Sequence, residues 1–158
     1  MPKSHRQREM SNIVIRKAKK SDLPAIKTLL AELIGAMDDT ECIDMRVAPE
    51  LWERLLRDTR SRFLMATAGG TPVGLIHFTI RQTVLHRSPS GMIDELVVSN
   101  EYQGKGIGRQ LVLAAIDMCR QLGCCEVEVS TERTNLKARR FYRKCGFDKA
   151  EILFELDL

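Results

Sequence analysis

The chain has 158 residues, of which 44% are apolar and 29% charged. That is the size and make-up of one cored domain, and it excludes collagen-like, coiled-coil and wholly disordered chains. The formal net charge is +4, with Lys3, Arg6 and Arg8 set against Glu9 at the N-terminus; the remainder is nearly balanced, which argues against a nucleic-acid-binding face.

Residues 1–12 are polar and basic and lack the apolar stretch of a secretory signal. We expect a disordered tail there, a cytoplasmic protein, and one domain over 13–158. Residues 13–19 alternate as a first strand, after which Ser21 and Asp22 offer a helix cap ahead of Pro24. Leu23, Ile26, Leu30, Leu33 and Met37 then step by three or four, an apolar helical stripe. An acidic, aperiodic segment spans 38–47, and Pro49 opens a short helix with Leu51, Trp52, Leu55 and Leu56 on one face. Residues 62–68 and 71–85 read as strands joined through Gly69 and Gly70, because paired glycines permit the positive φ of a tight hairpin. Residues 86–91 are loop-like and 92–98 a fourth strand. A helix follows over 107–122, stopped by Gly123, then a strand at 126–129, a helix at 134–145 and a final strand at 147–156. The order β-α-α-β-β-β-α-β-α-β predicts an α/β (α+β) fold with a mixed, mostly antiparallel sheet and helices on both faces. The longest apolar run, 111–116, has six residues against the ~18 of a bilayer span, so no membrane helix is expected.

The chemistry concentrates where strand 92–98 runs into Gln103-Gly104-Lys105-Gly106-Ile107-Gly108-Arg109 at a helix start. Glycines let main-chain amides approach a ligand closely, and a helix start carries partial positive charge, so the turn suits a phosphate. Dinucleotide-fold and P-loop spacings both fail, since Arg109 and Ser99 stand where those patterns need glycine. The five cysteines are odd in number and hold no CxxC pair, and the three histidines have no ligand spacing, so neither disulfides nor a metal site are expected. Cys119 and Cys145 read as core filler. Residues 133–144 hold six cations and no acid. At 100° per residue, Lys137, Arg139, Arg140, Arg143 and Lys144 form a solvated face opposite Ala138, Phe141, Tyr142 and Cys145.

Gln103-x-x-Gly106-x-Gly108 after ELVV resembles the acyl-CoA-binding signature of the GNAT family of N-acetyltransferases. Asn135-x-x-Ala138-x-x-Phe141-Tyr142-x-x-x-Gly146-Phe147 resembles that family's downstream motif. The resemblance implies the GNAT fold, with strands 4 and 5 splayed apart. It implies acetyl-CoA as cosubstrate, its pyrophosphate on the amides of Gly104, Lys105, Gly106, Ile107, Gly108 and Arg109, with Gln103, Asn135 and Phe141 in the same site. Pantetheine would bond the backbone of Leu96, Val97 and Val98, whose free main-chain groups need partners. Lys105 and Arg109 would add charge-assisted bonds to phosphate. Tyr142, otherwise a packed tyrosine, becomes the proton donor to the departing thiolate.

An amine with a pKa near ~10.4 must shed a proton before attack, which requires a base. Glu95 matches the position of the family's glutamate, and Asp94 is kept in reserve. The two should face opposite ways, because side chains alternate along a strand. A strand-four N–H near Leu96 or Val97 would meet the developing oxyanion.

The resemblance is strongest to small-molecule members, with no nucleic acid or membrane partner and a homodimer expected. His86 and Arg87 fit an aminoalkylphosphonate or amino-sugar phosphate, whereas Asp38, Asp39, Glu41 and Asp44 fit a polyamine or aminoglycoside. A protein or peptide N-acetyltransferase and a non-catalytic acyl-CoA-binding module are the alternatives.

Overall fold

The computed structural model describes residues 12–37, 49–156 and 158. The expected tail, apart from Asn12, and the acidic segment 38–47 lie outside the described residues. β1 (Ile13–Lys17) leads through a short 3-10 turn into α1 (Leu23–Ile34). α2 (Pro49–Arg57), β2 (Ser61–Ala68), β3 (Thr71–Arg81) and β4 (Ser90–Val98) follow. α3 (Ile107–Gln121), β5 (Glu126–Val129) and α4 (Leu136–Lys144) complete the regular structure.

The strands form one sheet in the order β1-β2-β3-β4-β5. Its first three pairings are antiparallel and β4 pairs β5 in parallel, so the mixed, mostly antiparallel sheet expected from the element order is present. Gly69 and Gly70 both take positive φ in the β2–β3 turn, as the hairpin requires.

Alternation along the strands divides the core between two faces. Met65, Leu75 and Val97 point to one side, where Ile26 and Leu29 of α1 and Trp52 of α2 cover them. Leu64, Ile76, Phe78 and Ile93 point to the other, under Ile107, Leu111, Val112, Ala115 and Cys119 of α3. Phe141 and Tyr142 of α4 pack against the α3-side cluster, which includes Cys145 at the end of that helix. Every cation expected on the solvated face of α4 is exposed.

Three expectations are corrected. Residues 147–156 form no strand: Ile152, Phe154 and Leu156 are 80%, 89% and 85% exposed. Alternation says which face a strand would bury, but a strand exists only by pairing, and no strand of the described chain lies beside these residues. β3 ends at Arg81 rather than at 85, because Arg81 pairs with Ser90, the first residue of β4, and nothing lies opposite the residues beyond. Asp22 stands at the N-cap of α1, yet its side chain caps none of that helix's amides. Both its oxygens accept from the Arg16 guanidinium, at 2.7 and 2.8 Å, and Oδ2 also accepts the Lys19 amide at 2.8 Å. The fork ties β1 to the start of α1.

Asp22 is 5% exposed, and the bonds from Arg16 hold its carboxyl below the usual carboxylate range. A lowered folded value stabilises the protein above the unfolded pKa and is lost as pH falls through the folded one. Asp22→Asn should therefore cost about 2 kcal/mol near neutral pH, less than a fully buried pair because Arg16 is partly hydrated. In urea titrations the gap between the two proteins should close as pH falls below about 4; a gap independent of pH would contradict the ion pair.

Candidate active site

The β3–β4 ladder is irregular at one place. His77 pairs with Glu95 but Phe78 pairs with Ile93, which leaves Asp94 as an extra residue in β4. A bulge of this kind interrupts the two-residue period. Asp94 and Glu95 consequently fall on the same side of the sheet, that of α1 and α2, which corrects the expectation that they face opposite ways. The imidazole Nδ1 of His77 lies 2.5 Å from Glu95 Oε2 and 4.0 Å from Asp94 Oδ2. Burial pushes the Asp94 carboxyl up, against a hydrogen bond from Thr79 and the pull of the neighbouring His77 and Arg81 side chains. The His77 ring stacks on Phe63 of β2, centroids 4.1 Å apart, and Trp52 meets the edge of Phe63. The His77 side chain is 14% exposed and that of Glu95 41%, so the histidine is held inside and the carboxylate reaches solvent.

β4 and β5 stay together for four residue pairs, from Ser90↔Glu126 to Ile93↔Val129. Past Ile93, no strand among the described residues pairs with the outer edge of β4, so Leu96, Val97 and Val98 border a gap. That edge runs into a 3-10 turn at Asn100–Tyr102 and then the glycine turn. Gly104 and Gly106 take φ of +74° and +80°, with open space where a Cβ would stand. α3 begins at Gly106 with no side-chain cap, so its first amides are free for an outside acceptor. A Cβ at Gly108 would meet the Phe141 ring at 3.5 Å and Val98 at 3.7 Å. These features fit an extended ligand with an anionic end: strand amides along its length, and a cradle for a diphosphate at the helix start.

Several residues read from the sequence as ligand contacts have other partners. Gln103 Nε2 donates to the Val98 carbonyl and to Asn100 Oδ1, both at 3.1 Å, bracing the turn on the end of β4. Lys105 Nζ donates to the Glu101 carbonyl at 2.8 Å and sits 4.7 Å over the Tyr102 ring. Asn135 caps α4, its Oδ1 accepting from the Ala138 amide at 3.0 Å. Arg109 faces Cys145, whose thiol burial pushes up and the guanidinium pulls down. Ile107 and Val97 are buried at 2% and 5% exposed, leaving them their backbones to offer. Tyr142 sits among Phe141 and Phe147 rings, and burial raises its phenol to about 12, so it keeps its proton at neutral pH. No hydrogen bond, ion pair or ring contact joins it to Glu95 among the described residues.

Two residues of the site were not singled out from the sequence. Glu32 of α1 accepts from the Asn100 amide at 2.7 Å and from the Ser99 hydroxyl at 3.3 Å, fastening α1 to the end of β4. His77 carries one signal: it is the polar residue where β3 alternation places an inward one.

A sheet parted between its two parallel strands, with a glycine turn at the head of a helix beside the gap, can take an extended ligand with an anionic end. A family model described as "Acetyltransferase (GNAT) family" matches residues 26–147. The chain is 29% identical over 114 residues to aminoglycoside N(6')-acetyltransferase type 1 of Stenotrophomonas maltophilia, covering 69% of this chain and 74% of that one. It is 28% identical over 140 residues to aminoalkylphosphonate N-acetyltransferase of Salmonella typhimurium, covering 89% and 88%. The solved structure of glucosamine-6-phosphate N-acetyltransferase from Arabidopsis thaliana has a TM-score of 0.76 at 21% identity, covering 92% of this chain and 98% of that one, which establishes the shared fold. The protein belongs to the acetyltransferase (GNAT) family and is an N-acetyltransferase.

Gly106→Glu would put a strained, bulky anion where the turn offers amides. Calorimetry with coenzyme A should then register no binding while the far-ultraviolet spectrum is retained; unaltered affinity would contradict the site. In an alkaline titration one of the two tyrosines should lose its proton near pH 12, and Tyr142→Phe should remove that component. A late component that survives the substitution belongs to the other phenol.

Proposed function

We propose that the protein moves an acetyl group from acetyl-CoA directly to a primary amine of a small, multiply cationic molecule such as a polyamine or aminoglycoside. The observation that carries the reading is the free outer edge of β4 running into the uncapped start of α3, with Asp94 and Glu95 on the opposite, α1–α2 side. Acetyl-CoA supplies an activated acetyl thioester. Its pyrophosphate rests on the amides of Gly104 to Arg109, with Arg109 beside it, and its pantetheine arm bonds the backbone of Leu96 to Val98. Glu95 takes a proton from the amine, a strand-four amide meets the charge developing on the acyl oxygen, and the Tyr142 hydroxyl gives its proton to the departing sulfur.

The preference for a cation rests on charge. Glu128 pairs across from Met92, on the side of the sheet that carries Asp94 and Glu95, and Arg81, bonded to Glu128, is the cation set against these three acids. The pair that would suit an anionic acceptor, His86 and Arg87, is less available: the His86 ring bonds the Thr83 hydroxyl at 2.7 Å and faces the Glu126 carboxylate at 3.9 Å. A homodimer belongs to the same reading, supported by the exposed apolar residues near the C-terminus, and a cytoplasmic location is proposed with it.

A thiol-release assay with acetyl-CoA tests this against polyamines, aminoglycosides, aminoalkylphosphonates, amino-sugar phosphates and peptides. Turnover should appear on the cationic amines. Glu95→Gln should lower it by ~10²-fold or more, and Tyr142→Phe should lower kcat more than it changes KM. Turnover confined to peptides, or binding of acetyl-CoA with no turnover on any amine, would overturn the reading.

A further inference from the structure

We propose that His77 is a positioning residue for the catalytic base: its Nδ1–H holds the Glu95 carboxylate in place on the acceptor side of the sheet. The inference rests on Glu95 being the base.

The geometry admits few alternatives. An Nδ1 to carboxylate contact of 2.5 Å requires a proton between the two atoms, since a bare ring nitrogen and a carboxylate oxygen repel. The other ring nitrogen, Nε2, is buried with no hydrogen-bond partner among the described residues. Protonating it as well would put an N–H into a space that offers no acceptor. The ring therefore rests neutral, with its hydrogen on Nδ1 and a lone pair on Nε2. Stacking on Phe63, itself wedged by Trp52, fixes the plane of the ring and the direction in which Nδ1 points.

Because Nε2 is shut away, His77 cannot reach the amine. Glu95 is its route to the reaction, with one oxygen held by the imidazole and the carboxylate 41% exposed. In the proton step an amine N–H bond breaks and a Glu95 O–H bond forms, the carboxylate becomes neutral, and His77 keeps its hydrogen throughout. The charged and titratable groups around the imidazole are Glu95 and Asp94 from β4, with Arg81 of β3 acting on Asp94. β2 and α2 present uncharged rings, Phe63 and Trp52.

His77→Phe keeps a ring against Phe63 but removes the donor. It should lower kcat about 10–100-fold with little change in KM, as loss of an orienting partner does. His77→Asn places an amide N–H near the position of Nδ1 and should restore most of the rate. In the Glu95→Gln background, His77→Phe should change kcat little further. In the unmutated protein, nitrogen-15 resonances should show the His77 ring protonated at Nδ1 and bare at Nε2 at neutral pH; the reverse tautomer overturns the proposal without any substitution.

The two ideas fail separately. An active Glu95→Gln enzyme removes the base and this inference with it. An inactive Glu95→Gln enzyme, together with a folded His77→Phe enzyme of normal kcat, removes the inference alone. Equal damage from His77→Phe and His77→Asn assigns the histidine to packing and also overturns it.

Discussion

A strand's main-chain groups must be paired, and β4 has partners on its outer edge for four residues before β5 leaves it. The architecture around that gap makes the parting tolerable. β3 holds the inner edge of β4 from end to end except at Asp94, Glu32 and Gln103 fasten its far end, and α3 packs beneath it. The unpaired edge is thereby rigid, which a strand needs if a ligand is to complete it as a neighbouring strand would.

The sheet also keeps two kinds of chemistry apart. On the α3 side Ile93, Leu96 and Val98 belong to an apolar cluster that includes Phe141 and Tyr142, and burial there keeps a phenol protonated. On the α1–α2 side the bulge turns two successive carboxylates the same way, so negative charge gathers on that face. One inserted residue in the ladder sets this arrangement. In a regular strand Asp94 and Glu95 would stand on opposite faces, and one acid would be buried under α3.

Several motif residues act on the protein's own backbone. Gln103 and Asn135 belong to the two segments that resemble the family, and each spends its side chain on a turn or a helix end. A recurrent polar residue beside a binding turn is as readily a brace that shapes the turn as a contact with what binds there.

The amino-acid sequence by itself determined the order of the elements, the two-faced core, the β2–β3 hairpin and the glycine turn at the head of α3, because each is written in local periodicity or in residues with special φ. It also carried the family, through two motifs that match together. Tertiary structure alone decided what depends on pairing between distant segments: the bulge at Asp94, the partnership of His77 with Glu95 across the ladder, the use of Asp22 to hold Arg16 rather than to cap its helix, and the absence of a strand at 147–156. Alternation tells a residue which way to face only while the ladder is regular, and the register that makes or breaks the ladder is set by the strand next door.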